Sequence, residues 1–139
     1  MTINEIQDEL IDDFSFYQDW MEKYELIIQM GKELPLIDEA NKQDQFIIKG
    51  CQSKVWLFPE LKDGKLFFTA DSDAVITKGL VSLMVKVLSG HSPKEIADAD
   101  LYFIDQIGLK EHLSPTRANG LLSMVKQMKL YGLALAAKV

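Results

Sequence analysis

The chain has 139 residues, 47% hydrophobic and 26% charged, the composition of one globular domain with enough apolar side chains for a single core rather than a disordered chain. A net charge of −6 and a sequence pI near 4.9 argue against nucleic-acid partners, whose phosphates need a basic stripe. No apolar run approaches the roughly 20 residues of a membrane span, and the N-terminal stretch is acidic where a signal peptide is basic, so the expectation is a cytoplasmic protein with no membrane partner.

In chain order, Thr2-Ile3-Asn4-Glu5 reads as a capping box opening a helix whose stripe is Ile6, Leu10 and Phe14. Ser15 offers a second N-cap, and Tyr17, Trp20, Met21, Tyr24 and Ile28 trace a further helix ending at Gly31. Pro35 stops the helical pattern, and 38–45 reads as an exposed polar loop. The stretch Ile48 to Trp56 then holds the sole cysteine, Cys51, directly after Gly50, which tolerates a sharp bend. Val55 to Phe58 supply the β-branched and aromatic residues of a strand, Pro59 to Gly64 the turn of a hairpin, and Lys65 to Ala70 the returning strand.

Asp71-Ser72-Asp73 offers oxygen acceptors to cap the next helix, whose apolar positions Val75, Ile76, Leu80, Leu83, Met84, Val87 and Leu88 mark it as the central buried one. Ser92-Pro93-Lys94-Glu95 signals another start, with a short helix or two reaching Leu109. Ser114-Pro115-Thr116-Arg117 opens a last helix, with Leu121, Leu122, Val125, Met128 and Leu133 expected toward the core. Helices, a hairpin, then helices again predict one α+β domain over 1–139, a small antiparallel sheet packed with helices.

Charge is uneven along this order. Residues 1–45 carry twelve acidic and three basic side chains, whereas 110–139 carry one acidic and five basic. Most of this reads as solvated helical surface, although such asymmetry also orients a partner.

The chemistry-bearing residues are few. A lone cysteine makes no internal disulfide and suits a reducing compartment; its thiolate is a strong nucleophile, but a lone cysteine also packs as an inert small hydrophobe. Lys49 and Lys54 flank it, where a cation lowers a thiol pKa, although lysines at that distance are screened by salt. His91 and His112 share no ligand spacing, so neither a metal site nor a cofactor is expected of this chain alone. A cysteine-dependent hydrolase would need one of those histidines beside Cys51, and a binding module with an inert thiol would need nothing there. Arg117 is the sole arginine against fourteen lysines, which points to a planar fork holding an anion or making a structural hydrogen bond.

Over nearly its whole length the chain resembles the SufE family of sulfur-acceptor proteins. The resemblance rests on Trp20-Met21-Glu22-Lys23-Tyr24 with Gly31 and Leu34-Pro35, on Gly50-Cys51-Gln52-Ser53-Lys54-Val55-Trp56, on Asp71-Ser72-Asp73-Ala74 with Lys78-Gly79-Leu80, and on His112-Leu113-Ser114-Pro115-Thr116-Arg117 with Asn119-Gly120-Leu121. It implies an α+β fold related to that of iron–sulfur scaffold proteins. It also implies that Cys51 accepts persulfide sulfur from a SufS-like cysteine desulfurase, that the chain stimulates that enzyme rather than acting alone, and that the sulfur passes to iron–sulfur scaffold proteins. Arg117 would support the site; Gly50, Gln52, Ser53, Asp71 and Asp73 would meet the partner. The chain would be a monomer or weak homodimer, and the Gly50-Cys51-Gln52 loop would cover the sulfur at rest and extend when docked.

Overall fold

A computed structural model of the chain describes residues 1–138. Helix α1 (Ile3–Ser15) opens with the expected box: the Thr2 hydroxyl accepts the Glu5 amide at 3.1 Å and the Glu5 carboxylate accepts the Thr2 amide at 2.9 Å. Leu10 and Phe14 are buried on its inner face, together with a residue the apolar stripe does not show, Gln7. Its amide donates to the Asp100 carbonyl and its carbonyl accepts the Phe103 amide, so a buried polar side chain ties α1 to the start of helix α5 (Phe103–Ile107).

Helix α2 runs Trp20–Gly31, and its N-cap is Asp19, not Ser15. Ser15 instead ends α1, its hydroxyl donating to the Asp12 carbonyl. The later start changes the inner face: Ile27, Met30 and Gly31 are buried, while Met21 is exposed. Contact with α3 (Val75–Leu88) sets that face, because Gly31 and Gly79 allow the two backbones to touch; a methyl group at Gly79 would lie 2.4 Å from the Ile27 carbonyl oxygen. Helix α3 is the central helix expected, with ten buried residues, although Val75 itself is exposed.

The strands are longer than the sequence suggests. β1 (Val55–Lys62) and β2 (Lys65–Ser72) pair antiparallel from Val55 opposite Ser72 to Lys62 opposite Lys65. The turn is therefore only Asp63-Gly64, both with positive φ as a two-residue hairpin needs, and Pro59 lies within β1. Pro59 faces Phe68, whose amide points away from β1 to the Ser89 hydroxyl, so this pair exchanges no ladder bonds and a missing proline N–H costs none. β2 also extends through Asp71 and Ser72. Helix α3 consequently begins at N-cap Ala74 with no side-chain cap, contrary to the capping expected of Asp71-Ser72-Asp73.

Residues 38–45, expected as open loop, include a short 3₁₀ turn, Glu39–Asn41, and a second turn, Asp44–Phe46, follows. The chain then meets β1: Ile47 bridges Trp56, and the Ile48 amide donates to the Val55 carbonyl at 2.8 Å. The cysteine loop, 49–54, is thereby pinched at its base. After α3 come α4 (Pro93–Asp98), with the expected Ser92–Glu95 capping box, α5 (Phe103–Ile107), α6 (Leu109–His112) and α7 (Pro115–Ala136), with Ser114 accepting the Arg117 amide. Helix α7 buries Gly120, Leu121, Met124, Met128 and Gly132; Leu122 and Leu133, expected inside, are exposed. Its second half turns Gly132 rather than Leu133 inward, because α4 lies so close that a methyl group at Gly132 would sit 2.7 Å from the Pro93 carbonyl. The result is an α+β fold in which helices cover one small antiparallel sheet around a continuous core. No described helix is long and apolar enough to cross a membrane.

Candidate functional site

The pinched loop rests on α7. Gly50 takes φ +94°, and a methyl group there would lie 2.4 Å from the Ser123 hydroxyl, so a larger residue fits neither the backbone nor the seat. Cys51 follows, half-buried, its thiol donating to the Gly120 carbonyl at 3.5 Å. Gly120 brings the helix backbone against the loop, and a methyl group there would reach ordinary contact with Sγ at 3.4 Å. A glycine inside a long helix costs about 1 kcal/mol relative to alanine, so Gly120 was a signal in the sequence of close approach by another segment.

Burial pushes the Cys51 thiol above the ordinary thiol range, and no neighbouring cation offsets it. Of the two readings of Lys49 and Lys54, the screened one fits: both are exposed, and neither acts on the sulfur. The resting thiol is a protonated, sheltered group rather than an activated thiolate.

Beneath the thiol is a pocket of about 290 Å³. Cys51, Gln52 and Ser53 form one wall, Ala74 and Thr77 at the start of α3 a second, and Thr116 and Arg117 at the start of α7 a third. Arg117 lines the thiol pocket, and its guanidinium has no ion pair or hydrogen bond among the described residues. Thr77 was not picked out from the sequence, and Gly120 entered only as part of the Asn119-Gly120-Leu121 motif, since their place at the thiol depends on α3 and α7 converging.

Asp71 and Asp73 do not line this pocket. The register does put them at its end of the sheet, with Trp56 opposite Asp71. Asp71 accepts from Lys42 at 2.9 Å, lies 3.5 Å from Lys78 and accepts the Ser72 amide. Burial alone would raise its pKa, but the hydrogen bond from Lys42, supported by the Ser72 amide and both lysine charges, holds it below the usual carboxylate range. Asp73 accepts the Lys54 amide at 3.1 Å, and the Ser72 hydroxyl donates to the Lys54 carbonyl at 2.8 Å. These residues tether the exit of the cysteine loop instead of capping α3.

Both histidines are structural. His91 joins the Leu88 and Met1 carbonyls. His112 stacks on Trp20 with ring centroids 4.1 Å apart, donates from Nδ1 to the Gly108 carbonyl, and offers its own carbonyl to the Tyr24 hydroxyl. Neither lines the thiol pocket, so the base that a cysteine hydrolase would need is absent from it. Among the described residues, no three His, Cys, Asp or Glu side chains gather as a metal ion would require.

Comparison with known proteins shows the family and the fold. The family model described as SufE, Fe-S metabolism associated domain, matches residues 8–132. An uncharacterized SufE-like protein of Rhizobium meliloti is 40% identical over 127 residues, covering 88% of this chain and 91% of the relative. A SufE-like protein of Synechocystis is 35% identical over 125 residues, covering 90% and 79%. In fold, the solution structure of a hypothetical protein from Thermus thermophilus aligns with a TM-score of 0.78 at 16% identity, over 96% of this chain and 97% of the other. The chain belongs to the SufE family, whose domain is associated with iron–sulfur metabolism.

Proposed function

We propose that the chain is a sulfur acceptor: Cys51 takes persulfide sulfur from a cysteine desulfurase, stimulates that enzyme by clearing it, and passes the sulfur to iron–sulfur scaffold proteins in the cytoplasm. The observation that carries this reading is the sole thiol held over a pocket that has room beneath it and no general base beside it. Such a site is suited to holding sulfur rather than to hydrolysis.

In the transfer, the Cys51 thiolate attacks the outer sulfur of the partner's persulfide. A new S–S bond forms to Cys51, the old one breaks, and the partner's cysteine leaves with the electron pair as a thiolate. At rest, burial keeps Cys51 protonated. Docking that lifts the loop from Gly120 and Ser123 returns the thiol to water, lets it ionise, and so confines reactivity to the complex. Gly50, Gln52 and Ser53 meet the partner directly in this reading, with Asp71 and Asp73 on the same face, while Arg117 steadies the sulfur from the pocket wall.

The test is sulfide production by an added cysteine desulfurase with cysteine and a reductant. Wild-type chain is expected to raise turnover several-fold and to produce no sulfide alone, and Cys51→Ser is expected to abolish the stimulation. Equal stimulation by Cys51→Ser would reject the acceptor role.

A further inference from the structure

The pocket is much larger than the sulfur it shelters. A single sulfur atom needs about the volume share of one water, ~30 Å³, whereas the pocket holds about 290 Å³. Its remaining walls are built for negative charge in a chain whose own net charge is −6. Arg117 lines it, and its guanidinium has no carboxylate partner among the described residues. Helix α3, 14 residues long, meets it through its N-cap Ala74 and Thr77 and has no side-chain cap, which leaves its first-turn amides without a side-chain acceptor. An independent observation points to a ligand: Thr77 is 8% exposed, lines the pocket, and its hydroxyl has no hydrogen-bond partner among the described residues. The nearby carboxylates do not cancel this field, since Asp71 is paired with Lys42 and Lys78 and Asp73 with the Lys54 amide.

We propose that this pocket is an oxyanion subsite for sulfite, placed so that sulfite can take the outer sulfur from persulfidated Cys51. The lone pair on the sulfite sulfur attacks the outer sulfur. The bond between that sulfur and Cys51 breaks, the Cys51 thiolate takes the proton that the outer sulfur carried, and thiosulfate departs; two negative charges enter on sulfite and two leave on thiosulfate. Two electrons pass formally from the sulfite sulfur to the transferred sulfur, so no further oxidant or reductant is required. Arg117, the Thr77 hydroxyl and the free α3 amides hold the three oxygens. The transfer step rests on the acceptor reading, whereas oxyanion binding does not.

Two experiments separate them. First, the unmodified reduced chain is titrated with sulfate, an inert oxyanion, and followed by amide NMR. Saturable shifts are expected at Val75, Ile76, Thr77 and Arg117, with affinity at least tenfold weaker in Thr77→Val and in Arg117→Gln and retained in Thr77→Ser. Arg117 is exposed, so its variant tests the site even where the buried Thr77→Val change does not fold. Shifts that do not saturate, or equal affinity in the variants, overturn the subsite; tighter binding of acetate than of sulfate assigns the pocket to carboxylates and overturns sulfite.

Second, chain loaded by desulfurase and cysteine, then purified, is mixed with sulfite. Thiosulfate release is expected to saturate, with a tenfold higher half-saturating sulfite concentration in Arg117→Gln at equal persulfide content. A rate strictly proportional to sulfite and unchanged in the variant overturns the transfer step. Failure of the chain to load at all would reject the acceptor reading and with it the transfer, leaving the sulfate titration to judge the subsite.

Discussion

Gly50 and Ser123 hold the sulfur in place by fitting closely. At φ +94° an L side chain pays about 1–2 kcal/mol, and a methyl group would also strike the Ser123 hydroxyl at 2.4 Å. Gly50→Ala is thus expected to lift the loop from α7 and speed alkylation of Cys51 several-fold at neutral pH. Adding Ser123→Gly relieves the steric part and should slow the reaction partway back. Alkylation no faster in Gly50→Ala than in wild type would show that the loop is not seated this way. The thiol also has a pH signature. Its folded pKa is raised, so burial contributes stability fully below the ordinary thiol range and loses it as pH rises through the folded value. Cys51→Ser should flatten that decline in urea-unfolding stability at alkaline pH, and an unchanged decline would argue against a buried neutral thiol.

At the scale of elements, α2 and α3 meet backbone to backbone at Gly31 and Gly79. Gly79→Ala places a methyl group against the Ile27 backbone, which cannot swing aside as a side chain would. Overpacking of this kind costs about 1–3 kcal/mol and sometimes more, so a loss of at least about 2 kcal/mol is expected by urea denaturation. A change within 0.5 kcal/mol would contradict this packing. The same joint explains what could be read in advance. Thr2 with Glu5, Ser92 with Glu95, and Ser114 with Pro115 act within four residues, and each start appears where local chemistry puts it. Ser15 was the cap expected for α2, yet Asp19 caps it, in a register that presents Ile27 and Gly31 to α3. Asp71 and Ser72 look like cap residues locally, but pairing with Trp56 and Val55 keeps them in β2.

The whole molecule makes the pocket, and so most of the pocket was not legible. Cys51, Gln52, Ser53 and Arg117 were recognisable as residue types and motif members, yet their meeting depends on α3 and α7 converging across the intervening segment 89–114. Thr77 carried no signal at all, being one more small residue in a buried helix.

Charge acts on the same scale. The exposed carboxylate of Asp73 lies beside the loop exit, while the partly buried Asp71 is already paired with lysines, so Asp73 is the freer of the two to meet a basic partner. Asp73→Asn keeps an acceptor for the Lys54 amide and removes only the charge. It is expected to weaken stimulation of the desulfurase two- to fivefold at low salt and little once salt shortens the screening length to about 10 Å. Wild-type stimulation at both salt levels would move the docking surface away from this residue.

The most direct measurement is the intact mass of the chain after incubation with a cysteine desulfurase and cysteine. The expected result is a gain of one sulfur atom on the wild-type chain, removed by reductant and absent in Cys51→Ser. An unchanged wild-type mass beside a desulfurase shown to be turning over, or the same gain on Cys51→Ser, would contradict the assignment of Cys51 as the acceptor.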